Sequence, residues 1–448
     1  MKTTVEDIIK DKLCTGCGAC ASESMGALVM KWDEYGFLVP TPVADRKLEV
    51  DVLRVCPFNA KPAEEVRDED KLSKMFLPNT SKFDANMGRF DNTYVGYANE
   101  YRENSSSGGM ASYVFEQLLK RGIVNHLFIV KEVSGSYEYQ FYNSIESIKK
   151  ISRTRYIPVT LERLFLEIDK LEGKVAVSGV SCFIKAIRLK QYYHPHLREK
   201  IPFLVGIICG GWKSRAFTEY MVQRAGIKGS YSKQEYRVKD LDRPAIDYSF
   251  GAYDKQEEFH QIKVREIGDL WGSGLFKANA CDFCDDVTTE LADISMGDAW
   301  IDPYKQEGRG TNVLVTRSPL AEQILKEGVE NGDLTIEDVS TEKFKESQAA
   351  SFKHRQMAIK FRLEILEKQG KTIPHKRERF FQMIPFEFKA VQILRMLIRK
   401  QSLEEWKAHK DAVQFDANIL TVKSRLAKMT KRYHRIQKIR RLLHLKTM

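Results

Sequence analysis

Thiols are the residues in this chain whose spacing most constrains chemistry. There are eight cysteines, one tight group and one scattered group. Cys14, Cys17 and Cys20 stand in CTGCGAC, a C-x2-C-x2-C run, and Cys56 is followed at once by Pro57. Bacterial ferredoxins space their thiolates as C-x2-C-x2-C-x3-C-P, with the fourth cysteine of each run serving the other cluster. In this chain Ser24 holds that fourth position, and the isolated Cys56-Pro57 looks like the remnant of a second run. The set therefore predicts one complete 4Fe–4S cluster. The small residues between the thiols (Thr15, Gly16, Gly18, Ala19) let the backbone wrap tightly and aim N–H groups at sulfur. The same four thiolates could hold zinc, but zinc sites usually pair two C-x2-C knuckles.

The other four cysteines are Cys182, Cys209, Cys281 and Cys284. Cys182 follows the strand-like KVAVSG and Cys209 ends the strand-like PFLVGII. In an open α/β sheet the carboxyl ends of the strands line the crevice where ligands bind. Cys281 and Cys284 form a knuckle in ACDFC. Together they make a second four-thiolate site, expected to hold a second 4Fe–4S cluster, with no cysteine left over. Zinc remains open for this set, and either strand-end cysteine alone would pass for a small buried apolar residue.

Elements must position these groups. Residues 1–60 are expected to form an α+β, ferredoxin-like module, 61–92 a charged connector, 93–350 an α/β domain with a mostly parallel sheet, and 351–448 a basic helical extension. YVGYANE, VNHLFIV, KVAVSG, PFLVGII and TNVLVTR are the candidate strands. Helices are expected at 110–122, closed by Gly122, at CFIKAIRLKQYY, at SRAFTEYMVQRAG and at 319–328, TNVLVTR with the last of these making the final strand–helix unit. Pro374 and Pro385 should break the helices after 351.

Composition narrows the class. The 448 residues, 43% hydrophobic and 10% aromatic, are those of a globular protein with more than one domain. MKTTVEDIIKDK has no apolar stretch after its charges, and the longest apolar run, near IPFLVGII, is too short to cross a bilayer. The expected compartment is the cytoplasm, where thiols serve metal or redox chemistry before disulfides. The net charge of +11 is uneven: residues 353–448 carry 25 basic and 8 acidic side chains, so the remainder is slightly acidic. From Lys423 to Lys446 ten residues are basic and none acidic, with an apolar stripe at Val422, Leu426, Met429, Tyr433, Ile436, Ile439 and Leu443. That helix could pack on the body, touch an anionic membrane or glycan surface, or dock an acidic electron carrier. No aromatic-interleaved platform points to nucleic acid.

Taken together, CTGCGAC with Cys56-Pro57, SSSGG (105–109), TRY (154–156), GVSC (179–182), CGG (209–211) and CDFC followed by ADISMGDAW resemble the family of beta subunits of coenzyme F420 (deazaflavin) hydrogenases and dehydrogenases. The likeness runs from about residue 10 to about 340, and the family includes 7-hydroxymethyl chlorophyll a reductase and relatives from exopolysaccharide gene clusters. Ser181 and Phe183 stand where the family usually has Pro and Gln, and Gly210 where His often follows. The resemblance implies a ferredoxin-like module ahead of a flavin domain, FAD or else FMN, and electron transfer between a one-electron and a two-electron carrier.

A flavin would be expected at Ser105, Ser106, Ser107, Gly108 and Gly109, where backbone N–H groups at a helix start suit a pyrophosphate. As an ordinary loop, the same stretch would use Ser107 as a helix cap. Arg155 beside Tyr156 suits a phosphate or a ring, and Gly297 and Asp298 follow a short strand at a cofactor edge. No general acid or base stands out. The expectation is an iron–sulfur flavoprotein oxidoreductase taking single electrons from ferredoxin or a similar carrier to a small-molecule substrate. Its alternatives are the electron-transfer subunit of a larger hydrogenase or dehydrogenase and, in another class, a zinc-stabilised binding protein with a basic arm.

Overall fold

Short runs of Val, Ile, Leu and aromatic residues suit a pleated, buried surface, and eight of them assemble into the central sheet. The computed structural model describes residues 3–443 apart from Ser134, Ser147 and residues 149–152. Two hairpins come first, β1 (Leu28–Trp32) with β2 (Leu38–Pro42) and β3 (Lys82–Asp84) with β4 (Gly88–Phe90). The sheet begins with β5 (Thr93–Ala98), β6 (His126–Val133), β7 (Ser136–Tyr142), β8 (Val175–Val180) and β9 (Phe203–Ile207). A separate antiparallel layer follows, β10 (Ser232–Val238), β11 (Ser249–Tyr253) and β12 (Phe259–Lys263), which the sequence pattern had not revealed. The chain then returns as β13 (Ile294–Asp298), β14 (Asn312–Thr316) and β15 (Leu334–Asp338), and the order across the sheet is β15-β5-β14-β13-β9-β8-β6-β7.

The sheet is mixed, which corrects the expectation of a mostly parallel one. β6, β8, β9 and β13 are parallel neighbours, whereas β7, β14, β5 and β15 pair antiparallel. Connections explain the difference. β8 leads through the helix Ser181–Tyr193 into β9, a crossover that parallel pairing requires. No α-helix separates β13 from β14, and β6 turns tightly into β7, so both pairs run antiparallel. TNVLVTR is a strand with its helix, Pro319–Glu330, but it is not the last such unit, because β15 follows.

The helices lie where local signals put them. Gly122 takes a positive φ of 64° after Met110–Lys120, and the hydroxyls of Ser214 and Ser318 cap Arg215–Arg224 and Pro319–Glu330. Residues 61–92 carry the helix Glu69–Phe76, whose buried Glu69 pairs with Lys185 of the Ser181–Tyr193 helix at 3.1 Å. The N-terminal residues form the helices Val5–Lys10 and Ala19–Glu23, the β1–β2 hairpin and a 3-10 turn at Val52–Val55.

The extension forms the helices Ile359–Lys368, Phe386–His409 and Ala412–Leu442, with Pro374 and Pro385 between them. The last two pack along each other and against the body. Phe388, Trp406 and Phe415 join Phe217, Tyr220 and Phe276 in one core, with Phe276 and Phe415 stacked at 4.9 Å. Val422, Leu426 and Tyr433 are buried there, and Met429 packs at its edge. The stripe therefore packs on the body over its first turns, while Ile439 and Leu443 are exposed. Lys446 lies outside the described residues.

Candidate functional site

The CTGCGAC loop turns tightly because Gly16 and Gly18 both hold positive φ, 74° and 78°. A Cβ at Gly18 would stand 2.0 Å from the Thr160 hydroxyl, so only glycine fits. The turn aims the Gly16 N–H at Cys14 Sγ, 3.3 Å away. Cys56 follows the turn Val52–Val55 and packs on the same apolar cluster as Cys14 and Cys20. Burial raises the Cys20 thiol, and Cys17, Cys14 and Cys56 push it further; burial raises Cys56 to about 12. Four such thiolates repel one another unless a positively charged core lies between them. Ser24, at the lost fourth position, donates to Ala21 O at 2.7 Å and accepts from Leu28 N–H at 2.9 Å. Its hydroxyl closes the end of the helix.

The scattered set converges as well. Cys182 enters the helix after β8, Cys209 follows β9, and these two parallel strands are hydrogen-bonded neighbours. The knuckle comes to them from the 3-10 turn Asn279–Phe283. Burial raises Cys182 first, and Cys284, Cys281 and Cys209 all add to it. Backbone N–H groups of Gly211 and Trp212 point at Cys209 Sγ (3.3 Å) and Cys281 Sγ (3.1 Å). Arg355, on a π-helical turn at Lys353–Met357, donates to Cys284 Sγ at 2.6 Å and to the Cys209 carbonyl at 2.7 Å.

The two sets are adjacent. Cys17 acts electrostatically on Cys182, and Cys14, Cys20, Cys56, Cys182 and Cys284 pack against one apolar cluster containing Leu13, Phe58 and Phe283. Tetrahedral zinc, with Zn–S of about 2.3 Å, would draw its sulfurs to within about 3.8 Å of one another. Among the described residues no three cysteine sulfurs lie within 4.8 Å of each other. The donors, all sulfur and wider apart, fit an iron–sulfur core better than zinc.

Acidic residues surround the knuckle, and Lys277 together with arginines of the extension neutralises them. Lys277 and Arg399 reach the Asp282 carboxylate at 2.5 and 2.8 Å. Burial alone would raise this carboxyl, yet Lys277, Arg399 and Arg362 hold it well below the usual range. Arg377 spans Asp285 (2.9 Å) and both oxygens of Glu290 (2.6 and 2.9 Å) in a fully buried network. A cavity of about 580 Å³ opens over the second set, lined by all four of its cysteines and closed on one side by the extension.

The Ser105–Gly109 loop is engaged differently. Ser105 donates to Ser107 O at 2.7 Å, Ser106 accepts the Thr154 N–H at 2.9 Å, and Ser107 donates to Thr311 O at 3.1 Å. A Cβ at Gly108 would meet Asn312 Oδ1 at 2.7 Å, so this glycine allows the protein to pack on itself. Lys239 donates to the carbonyls of Arg102 and Ser107, and burial first, then Arg237 and Arg102, lower its pKa to about 7. The space beside Ser106 is about 10 Å³, enough for one water. Cations and an uncapped helix start at Met110 suit an anion, but a dinucleotide does not fit this conformation. Arg155 lies over the Tyr137 ring (4.6 Å), and Tyr156 packs edge-on against Trp271 (4.7 Å). Asp298 pairs with Arg237 at 2.5 Å, and the Gly297 carbonyl accepts from Asn312.

Models of the coenzyme F420 hydrogenase/dehydrogenase beta subunit match this chain, the N-terminal one over residues 93–165 and the C-terminal one over 172–342. The chain belongs to this family. A component of the F(420)H(2) dehydrogenase of Methanosarcina mazei is 21% identical over 320 residues, covering 66% of this chain and 78% of that one. Coenzyme F420-dependent sulfite reductase of Methanocaldococcus jannaschii is 19% identical over 72% of this chain, which spans 48% of that relative's length. A chain of the F420-reducing [NiFe] hydrogenase complex from Methanosarcina barkeri shares the fold with a TM-score of 0.51 and 18% identity, over 66% of this chain and 99% of its own.

Within this member of the F420 beta subunits, Cys182, Cys209, Cys281 and Cys284 line one cavity, and Cys14, Cys17 and Cys56 lie beside Cys20. The flavin-side residues divide, because Ser106 and the Asp298–Arg237 pair flank the small space beside Lys239 whereas Tyr156 faces the aromatic cluster. Arg355, Arg377 and Lys239 escaped sequence reasoning. Each is a single basic residue far in the chain from what it touches, and no local pattern marks it.

Proposed function

We propose that this member of the F420 beta subunits is an iron–sulfur oxidoreductase holding two 4Fe–4S clusters, one on Cys14, Cys17, Cys20 and Cys56 and one on Cys182, Cys209, Cys281 and Cys284. The observation that carries this is the adjacency of two four-thiol groups, half-buried apart from the buried Cys17, which meet where Cys17 and Cys182 share one apolar cluster. When bound, such clusters would supply one-electron transfer. The protein's own part is to offset the burial of thiolates that a cluster would ligate, with backbone N–H groups and Arg355, and to exclude water with Leu13, Phe58 and Phe283. Single electrons from ferredoxin or a similar carrier would enter on the first-group side, and the cavity over the second group would receive the small-molecule substrate. A flavin, implied by the family resemblance, would have to displace Lys239 to reach the Ser105–Gly109 loop, and one equivalent of flavin in the purified protein would establish that it does.

Iron and acid-labile sulfide should be measured on protein purified without oxygen. About eight of each per chain is expected from two four-cysteine clusters, falling to about half in Cys281→Ser/Cys284→Ser. About four iron in the parent would remove the second cluster, and a colourless zinc protein would end the redox reading altogether.

A second reading, an electron-transfer subunit of a larger assembly, is favoured by two relatives, one named as part of a dehydrogenase and one found in a hydrogenase complex. Activity that disappears on purifying the chain and returns on adding back a protein fraction would support it.

A further inference from the structure

The cavity over the second cysteine set is larger than that set requires, and its far wall comes from the extension, beyond the residues the family models match. Five cationic side chains line it: Lys277, Arg355, Arg362, Arg395 and Lys423. Two have anionic partners, Lys277 the Asp282 carboxylate and Arg355 the cysteine sulfur. The other three form no ion pair among the described residues, and Arg362 shares the field of the same Asp282. Arg362 is fully buried and spends its donors on neutral oxygens, the Asp282, His354 and Arg355 carbonyls and Gln392. Lys423 donates only to the Ile267 carbonyl, at 2.9 Å. Arg395 makes no hydrogen bond or ion pair among the described residues. Asp282 and Asp269 favour its charge only through space, and both are already bonded, Asp282 to Lys277 and Arg399 and Asp269 to the Gly272 N–H.

Half-buried cations turned into a partly open cavity without ion-pair partners favour an anion joining them. We propose that this cavity binds an organic phosphate, its phosphoryl group held by Arg395 and Lys423 in the field of Arg362, with Thr430 and His434 at the lining and the remainder lying toward Trp271 and the second cysteine set. A dianionic group answers Arg395 and Lys423, which have no ion pair, together with Arg362, which shares Asp282, better than a single carboxylate does, and a guanidinium fork matches phosphate oxygens. This assignment deepens the oxidoreductase reading and rests on it for calling the ligand a substrate. The binding itself does not depend on that reading.

The test uses full-length protein purified anaerobically, with inorganic pyrophosphate as probe and malonate as the carboxylate comparison. Thermal unfolding of the parent should shift upward with pyrophosphate and much less with malonate. Arg395→Met, having lost an uncompensated charge, should be at least as stable as the parent without the probe. It should bind pyrophosphate about tenfold or more weakly, the scale of one charged hydrogen bond. Arg395→Lys should retain part of the response, and Arg435→Met, at an exposed position off the cavity, all of it. A parent indifferent to pyrophosphate, an Arg395→Met that keeps the response, or an equal response to malonate would overturn the assignment. Loss of iron in Arg395→Met would overturn it too, since Arg395 would then serve the cysteine set. A parent that lacks iron yet responds to pyrophosphate would uphold the anion site and count against the clusters alone.

Discussion

Among the described residues Arg355 is the one side chain that donates directly to a cysteine sulfur of the second set while also binding the Cys209 and Cys284 carbonyls. A cation in that place stabilises the more negative, reduced state of whatever the thiolates hold. Arg355→Gln should therefore lower the reduction potential associated with the second set by tens of millivolts, on the order of a tenfold change per about 59 mV for one electron. A redox titration followed by electron paramagnetic resonance checks this, and an unchanged potential would reduce Arg355 to a packing role. The cysteines were legible in the sequence and Arg355 was not. Metal-ligand spacing is local and must repeat in recognisable steps, as in CTGCGAC. Arg355 reaches Cys284 across 71 positions, and any guanidinium on a suitably placed turn would have served. Ser24 was legible in a negative sense, because a hydroxyl that closes its own helix cannot also serve as the fourth thiolate of the first run.

At the scale of elements, the short helix Ala19–Glu23 is fastened to Ser181–Tyr193, and so one cysteine set is fixed relative to the other. Glu23 is the fastening: its buried carboxylate meets Lys190 at 2.6 Å, His194 at 3.0 Å and Arg54. Burial alone would raise its pKa, but Lys190 and Arg54 bring it down from 4.5 to about 2. A carboxyl whose folded pKa lies below its unfolded value stabilises the fold fully above about pH 4.5 and loses that contribution as pH falls toward about 2. Glu23→Gln leaves Lys190 buried without its partner and should cost about 3 kcal/mol at pH 7. Urea unfolding of parent and variant at pH 7 and pH 4 should show the gap narrowing at the lower pH, and a gap independent of pH would mean that packing, not charge, holds the two helices. Arg377 gives a companion case. Arg377→Met strands Asp285 and Glu290 beside the knuckle and should cost about 3–5 kcal/mol in the same assay and lower the iron content. The strands and helices themselves were legible because KVAVSG and PFLVGII carry their burial pattern locally. Strand direction was not legible, since it depends on whether the connection holds a crossover helix, as between β8 and β9, or a bare loop, as between β13 and β14. The β10–β12 layer was missed because strands such as FHQIK are half exposed and polar, without strict alternation.

For the whole molecule, charge and packing make the C-terminal extension a wall of the site. Its sequence suggested a basic helical extension set apart by charge, yet Arg355, Arg377 and Arg399 are spent on the knuckle and its acidic neighbours, and Phe388, Trp406 and Phe415 complete the core around Tyr220 and Phe276. The slight acidity of the body and the basic excess of the extension are thus two sides of one internal contact. Cations that remain outward, such as Lys428, Lys431, Arg432 and Arg435, sit on a helix whose opposite side buries Leu426 and Tyr433. Among the described residues no helix is long and apolar enough to cross a membrane. Packing fades only at the very end, where Ile439, Leu442 and Leu443 are exposed past buried Gln437. Protease susceptibility separates a wall from an arm, because cleavage requires local unfolding of the helix and not merely an accessible lysine. Brief trypsin treatment of the native protein should remove only residues beyond about 437, leaving iron content and the pyrophosphate response unchanged. An arm would instead be cut throughout the stretch from Lys423, where tryptic sites are dense. Intact mass spectrometry distinguishes the outcomes, and early cleavage near Lys423 or Lys428 with the cavity response intact would show that the last helix is not part of the site's wall.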